Sequence, residues 1–155
     1  MTLKYRMKRP RTTARILALQ MLYQAEITHD PIAVVQGRFW ETAKASDEVK
    51  AFANLLVTGT LEHLAVIDRA IQLASVNWPL HRMPVVDRCL LRSATYELFY
   101  LVDIPPAVAM NEAIEIAKVY STEDSPSFIN AVLDKIKDMK AELVALEHLR
   151  TSGGE

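Results

Sequence analysis

The sequence predicts an all-α protein: a compact, single-domain bundle of about seven helices. Apolar residues recur with the helical period along most of the chain, whereas the two-residue alternation of strands persists nowhere. Only four glycines occur, and several prolines lie between apolar segments, where they can start helices. At 155 residues, half of them apolar, the chain has the usual length of one domain and can bury a substantial core.

The first half of the chain contains signals for three or four helices. A helix is predicted over residues 12–27, and the HDP segment after it is a stop signal. The proline of that segment opens a shorter helix over 31–43. Ser46 or Asp47 can cap a long segment that continues to about residue 75, with a break near Gly59.

The second half is predicted to pack as a helical hairpin followed by a long last helix. The segment NWPLHRMP must be a connector because it holds two prolines. Helices over 85–102 and 106–120 are rich in small and apolar residues and are joined by a short turn, which predicts an antiparallel pair. Ser125, before a proline, is predicted to cap the last helix, which runs to Arg150.

The C-terminal part of that helix forms an extension, predicted over residues 138–150, before a disordered tail over 151–155. Apolar residues step by three and four through this region, which is the spacing of a heptad seam: Ile129, Val132, Ile136, Met139, Leu143 and Leu146. The first half of the seam is predicted to pack into the domain. The second half is predicted to cover an apolar surface or to mediate self-association.

Charge is distributed unevenly, although the net charge is only −1. Six basic residues precede the first acidic residue, Glu26, and the rest of the chain has 12 basic residues against 19 acidic ones. Residues 1–11 therefore form a basic N-terminal arm before the helical domain over 12–150. This asymmetry favours contact with a nucleic acid or an acidic partner through phosphate pairing, and a merely solubilising tail is the alternative.

Residue patterns for catalysis are missing from the sequence. The four histidines lie in different segments, without a second histidine or cysteine at a metal-ligand spacing, and no phosphate-binding or nucleophile motif occurs. Cys89 is predicted to be a buried small hydrophobe. We therefore expect a binding protein without a catalytic site, metal or cofactor. No apolar run is long enough to span a bilayer, so we expect a soluble, cytoplasmic protein without membrane contact.

Three segments together resemble the NusB transcription antitermination family. They are TTARILALQMLYQAEI, DRCLLRSATYEL and IPPAVAMNEAIEIAKVYSTEDSPSFINAVLDKI, in the family's order and with similar spacing over residues 9–137. The resemblance implies a compact helical adaptor that binds boxA-type single-stranded RNA together with the ribosomal protein NusE. It also implies loading onto elongating RNA polymerase with other Nus factors, to promote processive transcription of ribosomal RNA operons.

The resemblance also suggests site residues. Those expected at RNA are Arg9, Arg11, Arg15, Tyr23, Asp124, Ser125 and Phe128. Acidic residues bordering the helical hairpin, Asp87 and Glu112, are expected to face NusE. The chain departs from the family where an arginine cluster is frequent, since Arg11 is followed by two threonines, so phosphate contacts can be fewer or come from Lys8 and Arg9.

Helical geometry supports part of this assignment. Arg11 and Arg15 lie about 40° apart around a helix, and Tyr23 is about 80° from Arg15 and two turns along. These three side chains can border one groove, where arginine binds phosphate and an exposed aromatic ring stacks on a base. A buried Tyr23 is the alternative, and Phe128 can equally be a core residue.

Three other functions remain open. The first is a helical adaptor that binds only proteins, which RNA-binding measurements would distinguish from an RNA-binding protein. The second is a NusB-like domain related to the N-terminal part of RNA methyltransferases, although this chain has no cofactor-binding α/β sequence. The third is a helical metalloenzyme, which metal analysis of the purified protein would detect. A homodimer is compatible with the sequence.

Overall fold

The computed structural model describes residues 9–153, and these residues form α-helices and short 3-10 turns without a β-strand. This confirms the predicted all-α class. The chain divides into two compact units, Met1–Glu62 and His63–Glu155, where the sequence predicted one domain. Most of the basic arm, residues 1–8, lies outside the described residues, as do the last two residues of the predicted tail.

Over residues 9–62, the first unit contains three helices: α1 over Pro10–Thr28, α2 over Ile32–Thr42 and α3 over Asp47–Glu62. Helix α1 packs against both α3 and α2. Ala14 and Ala18 are completely buried along α1, and their small side chains let neighbouring helices approach closely. The predicted stop signal is confirmed, because His29 adopts the left-handed conformation with φ 60° and its N–H caps the carbonyl of Ala25.

Helix α3 starts where the sequence predicted and ends later than expected. The Ser46 hydroxyl accepts a hydrogen bond from the Val49 N–H at 3.3 Å, which is an N-cap interaction. The predicted break is present but lies one turn later than Gly59: Gly59 is a buried residue inside α3, and the helices separate at His63. A buried position in a packed helix outweighs the low helix propensity of glycine.

The described part of the second unit, residues 63–153, contains five helices and two 3-10 turns. Its elements are α4 over Leu64–Ala74, a 3-10 turn over Leu80–Arg82, α5 over Val85–Tyr100, α6 over Pro106–Tyr120, α7 over Ser125–Ile136, a 3-10 turn over Lys137–Met139, and α8 over Lys140–Ser152. Helices α5 and α6 pack together as predicted, and α7 packs against α4, α5 and α6. Cys89 is buried in α5, as the sequence predicted.

The end of the second unit differs from the single long helix that was predicted. The 3-10 turn separates α7 from α8, and α8 continues to Ser152, so Thr151 and Ser152 are helical. The seam residues of α7 are buried, and so is Leu143, whereas Leu146 is 45% exposed. The first half of the seam therefore packs into the unit as expected.

Helix α8 is anchored by a polar contact that the sequence did not predict. The Glu147 carboxylate accepts a hydrogen bond from His63 Nδ1 at 2.9 Å and another from the Tyr100 hydroxyl. The rings of His63 and Tyr100 stack with their centroids 3.8 Å apart. Glu147 thus connects α8 to the start of α4 and the end of α5.

No helix within residues 9–153 combines the length and apolar character that crossing a membrane requires.

Candidate nucleic-acid interface

The start of α1 presents cations beside a helix N-terminus. Arg9 and Arg11 are exposed, Pro10 occupies the first helical position, and the first turn contains no acidic residue. The backbone N–H groups at a helix start carry partial positive charge, which adds to the guanidinium charges. This end of the first unit is therefore favourable for an anion such as a phosphate.

Arg15 differs from the other two arginines because it is only 6% exposed. The sequence predicted all three on the surface, and for Arg15 this is wrong. It lies one turn after Arg11 on the part of α1 that packs against α3, where the guanidinium carbon is 5.5 Å from the ring centroid of Phe52. Arg15 therefore has a structural contact of its own.

Phe52 on α3 is the residue that connects the two arginines, and the sequence did not single it out. The Arg11 guanidinium carbon lies 4.5 Å from the same ring centroid, within cation–π distance. The Phe52 ring also borders an open cavity of about 280 Å³. The cavity is lined by Pro10, Arg11, Glu48, Ala51, Phe52 and Leu55. The pairing joins residues about forty positions apart, so no local pattern could have revealed it.

Tyr23 is on the surface of α1, with 42% of its area exposed. This rules out the buried alternative. Ile27, one turn further along, is also exposed. The phenol ring is therefore accessible to a stacking ligand from the first unit.

The loop between α6 and α7 is held by a buried carboxylate. Asp87, only 3% exposed, accepts hydrogen bonds from the hydroxyl of Ser121 and, at 2.8 Å, from that of Ser125. Thr122 Oγ1 lies 2.7 Å from Ser125 Oγ and can donate to it. The expectation that Asp87 faces NusE from the surface is therefore corrected: the carboxylate is an internal anchor of this loop.

Ser125 also has a different role from the one predicted. Helix α7 begins at Ser125, and the capping position is Asp124, whose side chain makes no capping hydrogen bond. The Ser125 side chain is buried and bonded to Asp87, so it shapes the loop from inside. Asp124 is exposed at the N-terminus of α7, where the sequence placed it.

The remaining predicted residues lie on α6 and α7. Phe128 is half-buried, and its ring centroid is 6.2 Å from that of Trp78, which lies in the connector after α4. Glu112 is half-buried on α6, and its contact with NusE stays a prediction. Across residues 9–153, no cluster of three histidine, cysteine or acidic side chains is arranged to hold a metal ion.

Comparisons with known proteins assign the family. The NusB family profile matches residues 12–138. The transcription antitermination protein NusB of Trichlorobacter lovleyi is 44% identical over 127 residues, which cover 82% of this chain and 89% of that protein. NusB of Geobacter sulfurreducens is 46% identical over 127 residues, covering 81% and 92% of the two chains.

Solved structures agree with the sequence comparison. The structure of T. maritima NusB matches with a TM-score of 0.75 and 38% identity, and the match covers 83% of this chain and 90% of that one. A crystal structure of the antitermination factors NusB and NusE in complex with double-stranded RNA matches with a TM-score of 0.74 and 25% identity, covering 84% and 97%. Helix α8 begins beyond the family match. This chain belongs to the NusB family of transcription antitermination proteins.

Proposed function

We propose that this chain is an RNA-binding antitermination factor, not an enzyme, that binds boxA-type single-stranded RNA together with the ribosomal protein NusE. In the cytoplasm, the complex would join the RNA polymerase elongation complex with other Nus factors and promote processive transcription of ribosomal RNA operons. The family assignment supports this function, and the solved complex of a NusB with NusE and double-stranded RNA supports the NusE partner and contact with RNA.

The observation that carries RNA contact is the cationic start of α1. Arg9 and Arg11 are exposed at a helix N-terminus whose first turn contains no acidic residue, and Glu48 of α3 is the acidic residue that lines the adjoining cavity. Arginine forks bind phosphate oxygens, and the released counterions make such binding weaken with salt. Tyr23, exposed on the same helix, supplies an aromatic face for an unpaired base.

The second unit contributes residues of a different kind. Asp124 is an exposed anion at the start of α7 and repels a nearby phosphate, while Phe128 offers part of an aromatic ring. Ser125 and Asp87 hold the backbone of this loop from inside and do not meet the RNA directly. Glu112 on α6 is proposed to contact NusE.

A binding titration tests the function. Fluorescently labelled single-stranded boxA-like RNA is titrated with the full chain, with and without NusE, at several salt concentrations. We expect weak, salt-sensitive binding by the chain alone and tighter binding with NusE, because a short basic segment on an acidic chain gives few phosphate contacts. A scrambled RNA and the duplex form of the same RNA are the controls.

The outcomes separate the alternatives. Binding that NusE does not strengthen would contradict a shared complex. If the chain binds NusE but shows no binding of RNA at low or at moderate salt, it is a protein-only adaptor instead. A clear preference for the duplex would contradict recognition of single strands.

A further inference from the structure

Two aromatic rings meet on the surface of the second unit. Trp78 lies in the connector after α4 and Phe128 on α7, and their ring planes are inclined by 53° with centroids 6.2 Å apart. Trp78 is 49% exposed, whereas the Phe128 side chain is less exposed than that. The Trp78 indole is therefore the larger open aromatic surface of the pair.

The backbone around Trp78 is held in place. The Trp78 N–H donates to the Ser75 carbonyl at 3.0 Å, and the Trp78 carbonyl accepts from Gln72 Nε2 at 3.3 Å. The Gln72 side chain also accepts from the Leu80 N–H at 3.0 Å. These bonds bracket the tryptophan on both sides, so the exposed indole is presented by a fixed backbone and not by a loose loop.

Charges of both signs lie near the ring pair along the chain: Arg82 follows Trp78 by four residues, and the exposed Asp124 precedes Phe128 by four. His81 and Arg82 follow in the 3-10 turn, and both are exposed. Exposed aromatic rings interleaved with basic residues are typical of surfaces that bind single strands, because the ring stacks on a base while the cations attract the backbone. Val76, also in the connector, is 80% exposed.

We propose that Trp78 and Phe128 form a two-ring platform on which unpaired RNA bases stack, with the Trp78 indole as the ring that is contacted first. This inference rests on the proposed RNA-binding function and adds a residue and a binding mode to it. A base that reaches the half-buried Phe128 ring would also contact the more exposed Trp78 indole beside it.

Intrinsic fluorescence can report on Trp78 directly. The chain has two tryptophans, and Trp40 lies in the first unit, where its indole N–H donates to Asn54 Oδ1. Trp40→Phe leaves Trp78 as the sole tryptophan, and its thermal unfolding is compared with that of the natural chain. Titration with single-stranded RNA is expected to quench Trp78 emission over the same concentration range in which labelled RNA gains anisotropy.

Abasic oligonucleotides separate base stacking from phosphate contact. A series of RNAs in which one nucleotide at a time lacks its base retains every phosphate. We expect one or two positions at which the missing base abolishes the quench, while inorganic polyphosphate produces no quench.

Substitutions provide the second readout. Trp78→Leu retains an apolar contact for Phe128 but lacks an aromatic face, so we expect affinity to fall roughly 5- to 100-fold with an unchanged salt slope and nearly unchanged melting temperature. Trp78→Phe should restore most of the affinity. Val76→Ala, at an exposed position of the same connector, is the matched control and should bind as the natural chain does.

The inference is overturned if RNA binds normally but neither quenches Trp78 nor responds to Trp78→Leu; the proposed function then stands. A quench produced by NusE and not by RNA overturns it as well, because the indole is then a protein contact. Failure of the natural chain to bind RNA at all, alone or with NusE, contradicts the proposed function itself and removes the basis of this inference.

Discussion

At the scale of single residues, two arginines on the same helix face have different environments. Arg11 is exposed and Arg15 is buried, although both guanidinium groups lie over the Phe52 ring. An exposed cation can exchange water for a phosphate, whereas a buried one is part of the packing between α1 and α3. A joint substitution of all three arginines would therefore mix a binding effect with a folding effect.

We expect the double variant Arg9→Ala/Arg11→Ala to bind RNA more weakly and to stay folded, with a stability loss of about 0.5–1 kcal/mol from the exposed Arg11–Phe52 cation–π contact. The salt slope, which is the slope of log affinity against log salt concentration, should decrease in magnitude. The decrease is as much as about 0.7 for each phosphate of a single strand that the variant no longer neutralises. Arg15→Ala should instead destabilise the chain by about 1–2 kcal/mol, because this variant lacks a buried cation–π interaction and the packing of the arginine stem. Thermal unfolding and RNA affinity are measured for each variant.

Lys44→Ala is the control for this pair, since Lys44 is an exposed cation of the same unit. It should leave both properties unchanged. Normal RNA binding by a folded Arg9→Ala/Arg11→Ala variant would mean that the start of α1 only aids solubility.

Tyr23→Ala should lower RNA affinity without changing the salt slope, because stacking on the ring involves no ion exchange. Removal of one stacking platform costs about 1–3 kcal/mol. Tyr23→Phe should bind nearly as well as the natural chain, and Ile27→Ala, at an exposed apolar position one turn away, should not affect binding. A reduced salt slope for Tyr23→Ala would contradict the stacking role.

Asp124→Asn should strengthen RNA binding and cost a little stability. The exposed carboxylate at the start of α7 repels phosphate, but it also favours the helix N-terminus by about 0.3–1 kcal/mol. Affinity at several salt concentrations and the melting temperature are measured, with Asp138→Asn as an exposed acidic control. Weaker binding by Asp124→Asn would show that the loop does not face the phosphates.

At the scale of elements, α8 is attached to the second unit by both apolar and ionic contacts. Leu143 is buried, and Glu147 is bonded to His63 and Tyr100. Burial by itself raises the pKa of Glu147, but the hydrogen bonds from His63 and Tyr100 and the charge of His63 outweigh it and hold that pKa below its ordinary value. Burial and the neighbouring Glu147 raise the pKa of Tyr100, which keeps its hydroxyl a donor.

The depressed pKa gives α8 a pH-dependent attachment. Because the folded state favours the ionised carboxylate, this stabilisation is present above the ordinary glutamate pKa of about 4.3 and is lost as the pH falls through the lower folded value. We expect Glu147→Gln to lower the melting temperature at neutral pH, by roughly 2–4 °C for each kcal/mol of stability removed. The difference from the natural chain should disappear in acid.

Melting temperatures between pH 7 and pH 3 test this expectation. Glu142→Gln changes an exposed acidic residue of the same helix and serves as the control. A Glu147→Gln deficit that persists unchanged at pH 3 would mean that the contact contributes through shape and not through charge.

At the scale of the whole molecule, the chain consists of a family core and a C-terminal helix beyond it. The family match ends at residue 138, and α8 begins at Lys140. Leu146 and Leu149 of α8 are exposed beside an open groove of about 700 Å³, which Ala65, Val66, Arg69 and Arg150 help to line. Both predicted roles of the second half of the seam, covering an apolar surface and self-association, therefore stay predictions.

Truncation after Lys140 should leave RNA affinity intact, lower the melting temperature and abolish any concentration-dependent dimer. The truncated chain lacks the buried Leu143 and the anchor at Glu147, while the proposed RNA contacts lie in other elements. Sedimentation velocity, thermal unfolding and RNA titration measure the three effects. If all three properties are unchanged, α8 is merely a solvated helix.

The sequence by itself determined the helical class, the order of the helices, most of their boundaries and the family. These follow from signals that act over a few residues, namely apolar periodicity, prolines at helix starts and short capping motifs, and from three motifs in order. The helical spacing of the sequence was compatible with exposed side chains at Tyr23 and Asp124. It left open whether Tyr23 is exposed or buried.

Only the tertiary structure decided which polar residues are buried and which distant residues meet. Arg15 lies over Phe52, Asp87 is bonded to Ser125, and Glu147 is bonded to His63, and each contact joins residues far apart in the chain. A charged side chain can be buried when a partner from another helix compensates its lost hydration. Because that partner is brought near only by packing, local sequence patterns placed Asp87 and Arg15 on the surface, and packing placed them inside.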